Sequence, residues 1–172
     1  MTRILFAHGA GATPDDPPLP ALRRLLGPGY QITAPDLGPP DPDTWTATLA
    51  PLLRQMESAI LIGHSLGGSH ILKTLAELGP AVTPRAFVGL ACPLWGQPGW
   101  DVPGFALPAY APEALARLPI RLFHARDDDV VPVDHLTAWK ALLPQARLYP
   151  VERQGHQFTG DLSALVIALS EL

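Results

Sequence analysis

The chain has 172 residues, of which 47% are hydrophobic and 16% charged. That length suits one domain, and the balance excludes a disordered chain. No stretch approaches the ~18 apolar residues of a membrane span, so no membrane partner is expected. A net charge of −4 with no basic cluster excludes a nucleic-acid surface. Cys92 is the only cysteine, so no intramolecular disulfide forms. With no signal-like segment before Ile4-Leu5-Phe6, a reducing, cytoplasmic setting is expected. Nothing in the composition indicates a homo-oligomer.

In chain order, Arg3 to Ala7 is a short apolar run fit for a buried strand. His8-Gly9-Ala10-Gly11-Ala12 follows, a loop whose glycines let backbone approach a ligand closely. Leu19, Leu22, Leu25 and Leu26 have helical spacing, stopped by Gly27-Pro28-Gly29. Tyr30 to Ala34 reads as a second strand, and Trp45, Leu49, Leu52, Leu53 and Met56 mark one face of the next helix. Ala59 to Ile62 is a third strand. A helix carrying Ile71, Leu72, Leu75 and Leu78 starts near Ser69 and ends at Gly79-Pro80. Arg85 to Ala91 is the fourth strand. Cys92 to Ala111 has no clear period and carries Trp95, Trp100 and Phe105 among several of the 21 prolines. The spacing predicts a short helix over Pro112 to Leu118, strands over Ile120–His124 and Arg147–Val151, and helices at Val133–Leu143 and Leu162–Leu169.

Strands alternating with helices imply a doubly wound, mainly parallel sheet of six strands with helices on both faces, in a single domain over residues 1–172. The strands are apolar throughout, as both-face burial requires. In such sheets ligands sit outside the carboxyl ends of the strands. That rule gathers the His8 loop, Ser65, Cys92–Ala111, Asp127–Asp129 and His156 on one edge.

Gly63-His64-Ser65-Leu66-Gly67 fits G-x-S-x-G between an apolar strand and a helix, the context that marks a nucleophile elbow. A strand turning into a helix within one residue leaves the serine strained and its Oγ exposed. Side chains two before or two after it would collide with neighbouring elements. The new helix aims its first N–H groups at the reaction centre, where negative charge develops.

A serine hydroxyl needs a base, and the base an orienting acid. His64 and His70 flank Ser65 too closely to turn back to it; His124 at a strand end reads as structural, and His135 at a helix start as solvated. His8 precedes the serine and fits an oxyanion loop. His156, in Gly155-His156-Gln157-Phe158, lies on a mobile, glycine-bearing loop after the last strand and can reach over the serine. The acid lies among Asp127, Asp128 and Asp129. Cys92 has no paired histidine and reads as a packed thiol.

These motifs together resemble the α/β-hydrolase superfamily, in a small form without a helical cap. The matching stretches are Gly63–Gly68, His8-Gly9, Asp128-Asp129-Val130-Val131-Pro132 and Gly155–Phe158. The subgroup is similar to the short serine hydrolases around retinoblastoma-binding protein 9, or to dienelactone-hydrolase-like esterases. The chain opens at what would be that pattern's third strand, and Cys92–Ala111 stands where a cap would be inserted. The resemblance implies a minimal α/β-hydrolase fold and hydrolysis of a small carboxylic ester through an acyl-enzyme, with no metal or organic cofactor. It selects Asp128 as the acid, four residues before Pro132, beside Ser65 and His156. It assigns the oxyanion hole to the N–H groups of Ala10 and Leu66. His8, Gly9, Trp95, Trp100 and Phe105 are expected to border the substrate, with a shallow cleft favouring short acyl chains. Fold alone leaves open a binding module without turnover, acyl transfer and thioester hydrolysis.

Overall fold

Strands β1 (Thr2–Ala7), β2 (Tyr30–Thr33), β3 (Ile60–His64), β4 (Ala86–Leu90), β5 (Ile120–Ala125) and β6 (Arg147–Val151) form one sheet in the order β2-β1-β3-β4-β5-β6. All pairings are parallel in this computed structural model, which describes residues 1–172. The helices are α1 (Leu19–Leu26), α2 (Pro42–Gln55), α3 (Leu66–Leu78), α4 (Ala111–Ala114), α5 (His135–Leu142) and α6 (Ser163–Ser170). None is long and apolar enough to cross a membrane.

Successive side chains of a strand leave on opposite faces, and both faces are filled. Leu5, Leu61, Phe87 and Leu122 pack with Trp45, Leu49, Ile71, Leu72 and Trp139, so α2, α3 and α5 cover one face. Ile4, Phe6, Ile62, Val88 and Phe123 pack with Leu19, Leu22, Leu165 and Leu169, so α1 and α6 cover the other. Burying each of these large side chains contributes roughly 1.5–3 kcal/mol. The strand order explains the split. From β1 the chain steps outward to β2, then returns past β1 to β3 and runs on to β6. Right-handed crossovers must therefore change face when the direction reverses. The reversal point lies between β1 and β3, where an open α/β sheet leaves a crevice. The His8 loop and Ser65 are the segments that leave these two strands.

Three helices differ from the periodic expectation, two in where they start and one in its length. Helix α3 begins at Leu66 rather than near Ser69, because Ser65 alone makes the turn with φ 51° and ψ −128°. Helix α5 begins at His135 rather than Val133: residues 132 to 136 close as tight turns, His135 N–H to Pro132 C=O and Leu136 N–H to Val133 C=O. Helix α4 covers only Ala111–Ala114, and the chain then runs through further tight turns to Pro119. No helical cap stands between β4 and β5.

The one-residue turn at Ser65 brings α3 directly back onto the sheet, and glycine is the only residue with room there. A Cβ on Gly63 would strike the Gly68 backbone, and one on Gly67 would strike the His8 and Ala7 carbonyl oxygens. One on Gly68 would strike Cys92 Sγ. Gly67→Ala should cost about 2–3 kcal/mol or more, because the obstacle is backbone that cannot step aside. Gly29→Ala, where a Cβ meets nothing within 4 Å, should stay within about 0.5 kcal/mol of the parent. Urea midpoints of the two variants check this, and equal midpoints would contradict the packing described.

Candidate active site

Ser65 sits at the tip of the turn, partly exposed, with its N–H bonded to the Leu90 carbonyl at 2.8 Å. Its positive φ is a strained backbone for a side-chain-bearing residue, on the order of 1–3 kcal/mol. The strain holds Oγ outward. Gly9 passes close by: a Cβ there would lie 3.1 Å from Ser65 Cβ.

His156 meets Ser65 from the β6–α6 loop, its Nε2 3.0 Å from Oγ. On the other side of the ring, Nδ1 lies 2.9 Å from Asp128 Oδ2 and 3.1 Å from Oδ1. A carboxylate can only accept, so Nδ1 carries the proton and Nε2 is free to accept from the serine hydroxyl. Ser65, His156 and Asp128, drawn from three separate loops, thus form one hydrogen-bonded chain.

The Asp128 side chain is fully buried. Burial alone would raise its pKa. The N–H donors of His124, His156, Val131 and Val130 outweigh that and hold the carboxyl well below the usual carboxylate range. The neighbouring aspartates go elsewhere. Asp127 Oδ1 accepts the N–H groups of Gln154 and Gly155 at 3.2 Å each, tying the acid loop to the loop of His156. Asp129 is exposed.

The loop carrying His156 is fastened along its length. Gly155 and Phe158 both take positive φ, and Phe158 is buried in the core beneath. Gln154 braces the loop, accepting the Gly160 N–H at 3.0 Å and donating to the Asp161 carbonyl at 2.6 Å. His64, next to the serine, donates Nε2–H to the His156 carbonyl at 2.8 Å. Sequence reasoning missed this brace, as it missed Asp127 and Gln154. None of the three leaves a local pattern: His64 and Asp127 act on backbone tens of residues along the chain, and Gln154 on backbone six and seven residues on, a spacing that no helix or turn marks.

The remaining positions fall into two groups. Ala10 lies at the loop tip, and its N–H donates to no carbonyl; the Leu66 N–H is the first of α3, with no carbonyl of its own helix behind it. The His8 ring is buried, Nδ1 donating to Gly9 C=O and Nε2 accepting from Leu37 N–H, both at 2.8 Å. Phe105 is buried among Trp45, His70 and Trp95, while Trp95 and Trp100 stay partly exposed with ring centroids 5.5 Å apart. His135 is not solvated: it is buried, its Nδ1 accepts the Leu94 N–H at 2.9 Å, and its ring meets Trp100 edge-on. Cys92 is packed behind the elbow, and burial pushes its thiol up to about 12. No group of three or more histidine, cysteine, aspartate or glutamate side chains is arranged to hold a metal ion.

An open parallel sheet with a strained serine at its reversal point defines a class, and comparison with known families names it. The model of the alpha/beta hydrolase family matches residues 4–168, and the chain belongs to that family. No curated protein matches the sequence. Among solved structures, the ydeN gene product of B. subtilis is similar with a TM-score of 0.83 and 21% identity, over 99% of this chain and 98% of that one. Est1E from Butyrivibrio proteoclasticus is similar at 0.76 and 13%, over 99% and 86%. The esterase domain of a Rhodothermus marinus protein is similar at 0.71 and 21%, over 99% and 84%.

Two buried histidines tie stability to pH. Desolvation, outweighing the bond to the His156 carbonyl, lowers His64 from 6.5 to about 4, and burial lowers His70 to about 4 as well. Between these values the unfolded chain binds protons that the folded protein refuses, so stability falls as pH drops from 6.5 towards 4. Asp128 acts in the same direction: its contribution is complete above the unfolded carboxylate value and is lost as pH falls below it. Urea unfolding at pH ~4.5 should give a stability lower than at pH ~7 by on the order of 2–3 kcal/mol for each buried histidine. An unchanged midpoint would mean that the two rings accept protons freely in the fold.

Proposed function

We infer that the chain is a serine hydrolase that cleaves a small carboxylic ester through an acyl-enzyme on Ser65. The observation that carries this reading is the unbroken hydrogen-bonded chain from Ser65 Oγ through His156 to Asp128. Neutral His156 takes the Ser65 proton at Nε2 while Oγ attacks the ester carbonyl. The oxyanion of the tetrahedral intermediate accepts from the N–H groups of Ala10 and Leu66, with the N-terminus of α3 aimed at it. His156 then protonates the departing alcohol. A water, deprotonated by the same ring, releases the acyl group as a carboxylic acid. Asp128 stays ionised throughout, fixing the tautomer of His156 and stabilising its transient positive charge.

Esters are the proposed substrates because the Rhodothermus marinus neighbour is named an esterase domain. The segment after β4 borders the acyl side in this reading. It abuts the elbow, with Ser69 Oγ donating to the Pro93 carbonyl and Cys92 Sγ against Gly68. Trp95 and Trp100 offer the partly exposed surface, Phe105 backs it, and Gly9 together with the His8-braced loop closes the opposite side.

Ser65→Ala should lower kcat for p-nitrophenyl acetate by roughly 10⁴-fold or more in a folded protein. It should also abolish labelling by a fluorophosphonate. Labelling of the alanine variant at the parent rate would remove Ser65 as nucleophile. Absence of both turnover and labelling in the parent would favour a binding module.

The aspartates separate in the same assay. Asp128→Asn should cost about 10⁴-fold, since an amide turns the imidazole into the wrong tautomer. Asp127→Asn keeps an oxygen to accept from Gln154 and Gly155, so it should stay within about tenfold of the parent. Asp129→Asn should be indistinguishable from it. A crippled Asp127→Asn beside a normal Asp128→Asn would shift the acid by one residue.

A further inference from the structure

His124 is the last residue but one of β5, four residues before Asp128, and is paired in register with Pro150 of β6. Its ring is buried. Nε2 lies 2.8 Å from the Val131 carbonyl and 3.2 Å from Asp128 Oδ2. Both neighbours are acceptors, so this nitrogen carries the proton.

The contacts close a small ring. His124 Nε2–H bonds the Val131 carbonyl, the Val131 N–H holds Asp128 Oδ1 at 2.8 Å, and the same Nε2 lies 3.2 Å from Oδ2, a longer second contact of the one proton. Val130 N–H adds a second donor to Oδ1 at 2.9 Å. Without His124, every donor from this loop would act on one oxygen. The carboxylate could then twist about its Cβ–Cγ bond, with His156 alone on the other oxygen. With His124 in place both oxygens are fixed before His156 arrives, which fits the near-equal approach of His156 Nδ1 to the two.

We propose that His124 is a positioning residue for the hydrolysis: its Nε2–H shares the Asp128 carboxylate with His156 and sets the plane in which that carboxylate meets the base. The inference rests on the Ser65–His156–Asp128 reading. If it holds, His124 changes the rate of acylation rather than the binding of substrate. A ring that merely fastened the Val131 carbonyl would support the loop and leave the imidazole's partner alone.

The test is a mutant cycle on p-nitrophenyl acetate hydrolysis, with thermal melts as a check on folding. His124→Leu should lower kcat by about 10- to 100-fold, the worth of one hydrogen bond to a charged group, with KM within about twofold. His124→Gln, whose side-chain amide N–H can stand where Nε2–H stood, should recover most of that loss. In an Asp128→Asn background, His124→Leu should add almost nothing, because the group it orients is gone. Parent-like kcat in His124→Leu, equal losses in the Leu and Gln variants, or a fully additive loss on Asp128→Asn would each overturn the proposal. If Asp128→Asn is itself active at the parent rate, the triad reading fails first, and this proposal with it. Long-range ¹H–¹⁵N correlation on the unmutated protein needs no variant to fold: His124 must show the proton on Nε2, and an Nδ1–H tautomer refutes the proposal.

Discussion

The conformation of one residue governs the rest of this molecule. Ser65 turns a strand into a helix in a single step at φ 51°, and nearly every feature around it follows from the close approach this imposes. Because α3 returns at once onto the sheet, the positions where strand and helix meet have no room for a Cβ, and glycine stands at 63, 67 and 68. Because Gly67 lies against the His8 and Ala7 carbonyls, the loop after β1 is held beside the start of α3. The strain is offset by burial on both sides of the turn, where Leu61 and Ile62 before it and Leu66, Ile71 and Leu72 after it enter the core.

Imidazole rings fasten the edge where the loops meet. All six histidines are buried, and five of them hold backbone or a carboxylate from another loop. His8 accepts from Leu37, His64 donates to the carbonyl of His156, and His135 accepts from Leu94. His124 donates to Val131, and His156 spans Ser65 and Asp128. A neutral imidazole offers one donor and one acceptor in fixed directions, which suits it to join irregular backbone that no ladder can satisfy. Burial makes the edge sensitive to acid, since desolvation holds His64 and His135 below the ordinary imidazole value.

Buried polar groups of this kind demand complete partnering. The aspartate loop meets that demand at Asp128, whose two oxygens are occupied from three directions. Asp127 extends the arrangement by reaching the loop that carries His156. The Asp128 and His156 loops are therefore tied to each other by contacts besides the Asp128–His156 hydrogen bond itself.

What the sequence determined by itself was the order of elements and the motifs that repeat or close along the chain. Alternating apolar runs and 3.6-residue periods placed six parallel strands and the helices between them. The glycines around Ser65 declared the elbow, because a close backbone approach excludes any other residue. The order of Ser65, the aspartate loop and His156, read through the sheet-edge rule, brought three distant segments to one place. Tertiary structure alone decided what those segments hold. That His64 braces the His156 carbonyl, that Asp127 ties down Gln154 and Gly155, and that His135 accepts the Leu94 N–H depend on contacts across tens of residues. Such contacts join a side chain to a backbone group, and every residue carries the same backbone, so no residue type at the far end announces the bond. Helix starts at Leu66 and His135 were likewise settled by a strained turn and by tight three-residue closures, which periodicity does not register.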